Sequence, residues 1–216
     1  MNIIRMPIIN GITPTLLKGT DRYAYGLSDF ENAWDLEDWQ ENGGYQGSVL
    51  YLYDLYENKI YIPFEKRKNV LYQEPLFYND MIYFLQIDYD NQKINLYHLS
   101  SSKPLEKVTD FSIGEVNLYN LGLTGEKVHI TSQDDSFISY YPERFEIKLE
   151  PNESVICIAD GKIYINAWIE EGVENDEITN NYSYYEKILI KDKEGKLLSE
   201  EVGYLTQFPD GKWRIS

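Results

Sequence analysis

One short phrase recurs along the chain and constrains the fold more than any other feature of the sequence. It is a polar or glycine-containing turn followed by a run of large residues, and it falls at 57–62, 79–84, 125–130, 160–165 and 210–215. Such turns reach the positive φ angles of tight antiparallel reversals, and the β-branched and aromatic runs suit pleated strands. The sequence therefore predicts a chain built from repeated β-hairpins.

The spacing of these phrases indicates how the hairpins group. Ile82, Val128, Ile163 and Trp213 open the strands of four phrases and lie 46, 35 and 50 residues apart. Such gaps suit units of about 40 residues with four strands each. The fifth phrase, at Ile60, fits an outer hairpin of the first unit. The other predicted strands are 21–27, 48–53, 93–99, 105–113, 136–141, 144–150, 184–191 and 197–204.

Strand number and spacing over the whole chain resemble those of β-propellers. The resemblance implies one all-β domain, 1–216, of five four-stranded blades. N-terminal strands at 2–9 and 13–18 and C-terminal strands at 204–208 and 212–215 would together close the fifth blade. WD40, kelch and sialidase motifs are absent, so the resemblance implies no activity. A β-sandwich or open antiparallel sheets are the alternative.

Two segments interrupt the repeat. Residues 28–44 predict a helical insertion, because Ser28 and Glu31 fit a capping box and Asn42-Gly43-Gly44 fits a helix end. Residues 169–181 predict an acidic loop.

The helical insertion is the first candidate binding site. It combines aromatic and acidic side chains without a basic residue between Asp29 and Glu41, and an outward-facing set would suit a basic protein. Packing on the sheet is the competing interpretation, favoured for Trp34 beside Phe30; Trp39, on the opposite side of the helix, is expected to be exposed. The candidate residues are Trp34, Asp35, Glu37, Asp38 and Trp39.

Charge limits the classes of partner. The chain has 36 acidic and 20 basic residues and a net charge of −16, which repels nucleic acid and anionic membranes. We expect a protein with a basic surface as partner. No signal peptide or membrane-spanning run is recognisable, so a cytoplasmic location is expected.

Catalytic and metal chemistry find little support in the sequence. The two histidines, His98 and His129, lie in predicted strands without companions at metal-ligand spacing, and the single Cys157 is expected to be a buried structural thiol. Carboxylates near hairpin ends could form a glycosidase pair, but solvated turn roles are the favoured explanation for them: Asp88, Asp90, Asp134, Asp135 and Asp160. No cofactor, metal or catalytic residue is predicted.

These observations predict a non-enzymatic, acidic interaction protein that binds another protein through loops and the helical insertion. The alternative is a carbohydrate-binding or carbohydrate-active protein, because surface aromatic rings stack on sugars and carboxylates bind hydroxyl groups.

Overall fold

A computed structural model describes residues 5–29, 31–174 and 177–216. Its internal contacts divide the chain into two compact units, Met1–Leu123 with Phe208–Lys212 and Thr124–Gln207 with Trp213–Ser216. The single domain expected over 1–216 stays a prediction. Antiparallel strands make up nearly all of the regular structure in the described residues.

The first sheet of the first unit is an antiparallel meander in strand order β1-β2-β3-β4. The central strand β2 is buried along its whole length, which its apolar and aromatic composition permits. The predicted strands at 21–27 and 48–53 are confirmed as the second and third strands of this sheet. The phrase at 57–62 contains its short fourth strand. The strands are β1 (Thr15–Leu16), β2 (Tyr23–Leu27), β3 (Leu50–Asp54) and β4 (Lys59–Tyr61).

The second sheet has an interrupted edge. Strands β5 (Val70–Tyr72) and β6 (Leu76–Tyr78) both pair with β7 (Met81–Asp88), followed by β8 (Lys93–Leu99) and β9 (Glu106–Ser112). Pro75 lies between β5 and β6, and its missing N–H group accounts for the break in the ladder. The sheet is therefore four strands wide, and β5 and β6 are strands that the sequence analysis missed.

One hydrophobic cluster joins these two sheets. It combines residues such as Leu50, Leu52 and Tyr25 of the first sheet with Phe84 and Ile82 of the second. Burial of each large side chain contributes about 1.5–3 kcal/mol, so this cluster is the main stabilising feature of the first unit.

Two further meanders and a separate hairpin belong to the second unit, apart from residues 122 and 123 of the first strand and the hairpin turn at 208–212. The third sheet is ordered β10-β11-β12-β13, the fourth β14-β15-β16-β17, and β18 pairs only with β19. The strands are β10 (Gly122–Thr124), β11 (His129–Gln133), β12 (Ser136–Tyr141), β13 (Phe145–Lys148), β14 (Glu153–Ala159), β15 (Lys162–Glu174), β16 (Glu177–Lys191), β17 (Leu197–Val202), β18 (Leu205–Gln207) and β19 (Trp213–Ile215).

The recurring phrase marks equivalent places in the sheets, as the spacing predicted. Strands β7, β11, β15 and β19 each occupy the second position of their sheet, whereas β4 is the outer strand of the first. All five preceding turns contain residues with positive φ, including Asn79 and Asp80 at 50° and 60°. The hairpin interpretation of the phrase is confirmed.

The prediction of an acidic loop at 169–181 is wrong for the described residues of this segment. Strands β15 and β16 continue through it as a long hairpin, with Ile169 opposite Tyr185 and Glu171 opposite Ser183. β-branched and aromatic residues alternate here with the acidic ones, and this alternation outweighs the charge that favoured a loop. Residues 175 and 176, at the predicted loop's centre, lie outside the described residues.

The predicted joint blade from both chain ends is not formed by the described residues. Strand β1 pairs with β2, residues 5–12 contain no strand, and the C-terminal hairpin β18–β19 is a sheet of its own. Pro7, Asn10 and Gly11 interrupt the N-terminal segment, which explains why it does not extend. The chain is thus all-β with five antiparallel sheets, none of which closes on itself; the predicted strand at 2–9 lies partly outside the described residues.

The core of the second unit consists of two clusters. One contains Ile163, Ile165 and Phe137, and the other contains Cys157, Ile188 and Leu205. The buried position of Cys157 confirms the expected structural thiol, and burial raises its pKa to about 12. Within the described part of the chain, no helix has the length and apolar character needed to cross a membrane.

Candidate functional site

The helical insertion is much shorter than predicted. Helix α1 covers only Leu36–Glu41, with Asp35 as its N-cap residue. Ser28 does not cap a helix, because its hydroxyl accepts the Val49 N–H at 2.8 Å and its own N–H donates to the Val49 carbonyl oxygen at 3.0 Å. Ser28 therefore extends the ladder between β2 and β3, and the capping-box interpretation is wrong.

Trp39 fixes this insertion to the first unit. Its side chain is only 8% exposed, stacks on Tyr45 at 4.4 Å between ring centroids and meets Tyr89 edge-on at 4.7 Å. The Tyr89 hydroxyl donates to the Ala33 carbonyl oxygen, which ties the preceding segment to the same aromatic cluster. The predicted exposure of Trp39 is wrong. The side of the helix opposite Phe30 does not face solvent at this position, because Trp39 packs there against Tyr45 and Tyr89.

Trp34 has the exposure that was expected for Trp39. Its side chain is 40% exposed and rests against Tyr119, itself 42% exposed, with 4.8 Å between the ring centroids. Tyr119 is held in a turn in which its N–H donates to the Asn117 side-chain oxygen at 2.9 Å. Sequence reasoning missed Tyr119, since nothing in its spacing links it to residues 85 positions earlier.

Several carboxylates lie within four residues of Trp34 in the chain. Asp35 is half-buried, Asp38 is exposed, and the side chain of Glu37 lies outside the described ones. Burial and the charges of Asp29 and Asp35 raise the pKa of Glu31, while a hydrogen bond from Trp39 lowers it. Among the described residues, no lysine or arginine forms a salt bridge with these carboxylates. We call Trp34, Asp35 and Tyr119 the Trp34 patch.

A second exposed aromatic surface lies on the hairpin of β15 and β16. Pairing with β14 ends at Ala167 and pairing with β17 ends at Lys187, so 168–174 and 177–186 form a two-stranded arm. Trp168 faces Glu186 across the arm, and Glu170 faces Tyr184. Side chains directly opposite each other share one face of a sheet. The arm therefore presents aromatic rings and carboxylates on the same face.

A cleft in the first unit is a third candidate. It has a volume of about 890 Å³ and is lined by rings and carboxylates that include Tyr56, Phe77, Phe208, Asp21, Asp80 and Asp210. The Tyr56 hydroxyl donates to Asp21 at 2.8 Å. The guanidinium carbon of Arg22 lies 5.0 Å from the centroid of the Tyr23 ring. The same guanidinium forms a salt bridge with buried Asp54, with 2.7 Å between nitrogen and oxygen. The cleft thus combines flat apolar surfaces with hydrogen-bond acceptors.

The contacts of the two histidines are with neighbouring strand residues. His129 is buried and its Nδ1 lies 2.9 Å from the Ser139 hydroxyl; burial lowers its pKa to about 4. His98 lies at 3.3 Å from the exposed Glu106 carboxylate. Both positions match the structural or surface roles that the sequence favoured.

Two of the carboxylates considered for glycoside cleavage, Asp88 and Asp90, take part in local hydrogen bonds. Asp88 accepts the Asn91 N–H and pairs with Arg67 at 2.8 Å, and these bonds lower its pKa although its burial acts to raise it. Asp90 accepts a hydrogen bond from Asn69, and Asp160 occupies a hairpin turn with a φ of 51°. No group of three or more potential metal ligands occurs among the described residues.

Comparison with known proteins identifies no relative. No family model matches the chain, and neither the curated proteins nor the solved structures contain a match.

Proposed function

We propose that this chain is a non-enzymatic interaction protein that binds a basic segment of another protein at the Trp34 patch. The observation that carries the proposal is the contact between two large aromatic side chains that both remain about two-fifths exposed. Aromatic residues in this state are typical anchors of protein interfaces, because they bury a large area with few rotatable bonds.

The charge around the Trp34 patch selects the partner's chemistry. A lysine or arginine side chain gains about 0.5–2 kcal/mol over an exposed aromatic ring, and a neighbouring carboxylate adds a charge-assisted hydrogen bond. Asp35 follows Trp34 directly and has no salt-bridge partner among the described residues. The net charge of −16 favours encounter with a basic protein.

The roles found for the reactive side chains support a function in binding. His129 and Cys157 are buried in the core, and the hairpin carboxylates stabilise turns. The proposal retains the cytoplasmic location. It also retains the resemblance of strand number and spacing to β-propellers, which the meander order of three of the four wider sheets supports.

Titration with a basic peptide tests the proposal. A fluorescein-labelled peptide of alternating lysine and leucine is the probe, and fluorescence anisotropy measures its Kd. Trp34→Ala is expected to weaken binding about tenfold, because the aromatic anchor is lost, and Asp35→Asn about threefold.

Trp213→Ala is the matched control, since Trp213 is also exposed but belongs to the second unit. Its Kd is expected to equal that of the unchanged chain. Equal affinities for Trp34→Ala and Trp213→Ala would remove the Trp34 patch from consideration.

Carbohydrate binding at the cleft is a second candidate function. The specific observation is the convergence of Tyr56, Phe77 and Phe208 with three aspartates on one opening. A glycan array with hydrolysis controls tests it: a bound glycan should be lost with Tyr56→Ala and kept with Tyr204→Ala, an exposed tyrosine of the second unit. Absence of any glycan bound by the unchanged chain would contradict this candidate.

A further inference from the structure

The arm, residues 168–174 and 177–186, is part of the hairpin of β15 and β16 and takes no part in the Trp34 patch. Three large aromatic side chains on it are strongly exposed: Trp168 at 43%, Tyr182 at 37% and Tyr184 at 54%. Few such rings stay exposed without a binding role, especially on a two-stranded ribbon that gains little stability by itself.

Hydrogen bonds fix these rings beside carboxylates. The Tyr182 hydroxyl donates to Glu170 at 2.8 Å, and the Tyr184 hydroxyl donates to Glu186 at 3.2 Å. Each carboxylate still has acceptor positions free, because a carboxylate accepts about four hydrogen bonds and the phenol occupies one. We call Trp168, Glu170, Tyr182, Tyr184 and Glu186 the arm face.

The two faces of the arm differ in charge compensation. On the opposite face, Lys187 forms a salt bridge with Glu200 at 3.1 Å and lies near Glu171, which accepts the Tyr185 hydroxyl at 2.8 Å. Neither Glu170 nor Glu186 forms a salt bridge with a lysine or arginine in the part of the chain that the structure describes. The carboxylates of the face that presents the exposed rings therefore lack the lysine that the opposite face has in Lys187.

The outer edges of the arm are partly closed to another strand. At one edge, the Trp168 N–H donates to the Asn152 carbonyl oxygen at 3.1 Å, and the Asn152 side chain donates to the Trp168 carbonyl oxygen at 2.8 Å. At the other edge, the Gly203 N–H donates to the Glu186 carbonyl oxygen at 2.9 Å. A partner at the base of the arm therefore meets side chains of the arm face and not free backbone groups.

We propose that the arm face binds an extended, arginine-bearing segment of another protein. Each guanidinium stacks on Trp168 or Tyr184 and pairs with Glu186 or Glu170. Arginine suits this face better than lysine, since its planar group stacks on a ring while its N–H groups bind a carboxylate in the plane of the guanidinium. Side chains two positions apart on a strand lie about 7 Å apart on one face, so arginines at alternate positions match Trp168 and Glu170.

Charge disfavours a second copy of this chain as the occupant. Two arm faces in contact would bring Glu170 and Glu186 of one molecule against the same residues of the other, and like charges at close range are destabilising. A basic segment instead supplies the missing counter-charge.

A peptide of six Arg-Thr repeats tests the proposal, with a citrulline-Thr peptide and a Lys-Thr peptide beside it. Fluorescence anisotropy at low salt measures each Kd in the Trp34→Ala background, so that the Trp34 patch does not contribute. We expect the arginine peptide to bind at least tenfold more tightly than the citrulline peptide and several-fold more tightly than the lysine peptide.

Substitutions on the two faces of the same strand give a matched comparison. Glu170→Gln combined with Glu186→Gln is expected to weaken the arginine peptide at least tenfold, whereas Glu171→Gln on the opposite face is expected to leave its Kd unchanged. Trp168→Ala should weaken it as well, and circular dichroism verifies that each variant is folded.

Three results would overturn the proposal. They are no saturable binding of the arginine peptide, an equal loss with Glu171→Gln, and a dimer in sedimentation velocity that disappears with Trp168→Ala. The last result would identify a second copy as the occupant. The proposal stands independently of the Trp34 patch, because every measurement is made in the Trp34→Ala background.

Discussion

The imidazole of His129 is enclosed in the second unit and bonded to Ser139. The Ser139 hydroxyl also lies 2.9 Å from the Glu143 carbonyl oxygen, to which it donates, so the imidazole Nδ1 carries the proton that it shares with Ser139. Burial opposes the charged form and lowers the pKa of His129 to about 4. This histidine therefore stays neutral in the folded protein at pH values where it becomes charged in the unfolded chain.

Because of His129, the free energy of unfolding is expected to decrease as the pH is lowered. Between its ordinary pKa of 6.5 and about 4, the unfolded chain binds more protons than the folded one, so stability is lost as pH decreases through this range. The loss amounts to at most about 3 kcal/mol. Urea unfolding from pH 7 to pH 4 measures it.

His129→Asn is the reference for this pH dependence, because asparagine offers a similar polar atom to Ser139 but does not titrate. The stability difference between the two chains should narrow as the pH falls below 6.5. A difference that stays constant from pH 7 to pH 4.5 would contradict the assignment.

At the scale of strands, a salt bridge joins β14 to β16 across the intervening β15. The Lys191 Nζ lies 2.9 and 2.7 Å from the two carboxylate oxygens of Glu153, and both side chains are largely buried. Glu153 also accepts the Glu150 N–H at 3.1 Å. The pair thus neutralises two charges that the sheet has removed from water.

Removal of one partner of this salt bridge is expected to be costly. Lys191→Met leaves a buried carboxylate without its counter-ion, and such changes typically cost about 3–5 kcal/mol. The double variant Lys191→Met with Glu153→Gln should recover much of that loss. Urea unfolding of the single and double variants measures both, and a double variant less stable than Lys191→Met would contradict the coupling.

The arm is expected to be dispensable for folding. Replacement of residues 169–185 by Asn-Gly, which favours a type I′ turn, leaves the pairing of β14 and β17 with the hairpin intact. The midpoint of thermal unfolding should change by no more than about 4 °C, equivalent to about 1 kcal/mol in a chain of this size. Circular dichroism provides the measurement, and loss of cooperative unfolding would show that the arm is part of the core.

The sequence allowed prediction of the hairpins but not of which aromatic side chains stay exposed. Strand starts and turn positions depend on local residues, so the phrase at Asp160-Gly161 could be interpreted correctly. The exposure of Trp34 and Trp39 depends on distant residues, since Tyr45, Tyr89 and Tyr119 come from other elements. The arm was missed because its carboxylates suggested a loop, and only the cross-strand pairing shows that they line a face.

At the scale of the whole molecule, the excess of negative charge should govern association rates. The net charge of −16 attracts basic partners. Salt screens this attraction, with a Debye length of about 8 Å at physiological ionic strength. The association rate constant of the Arg-Thr peptide is expected to fall more than tenfold between 50 mM and 500 mM NaCl. Stopped-flow fluorescence measures it, and a rate that is independent of salt would contradict electrostatic steering.

The neighbour-to-neighbour order of the sheets has a kinetic consequence. In the sheets ordered β1-β2-β3-β4, β10-β11-β12-β13 and β14-β15-β16-β17, each strand pairs with the strand that precedes or follows it in the chain. The loops that must close are therefore short for an all-β protein, and short loops lower the entropic barrier to folding. On the ribosome, each of these sheets can form as soon as its last strand has emerged, before the rest of the chain is made.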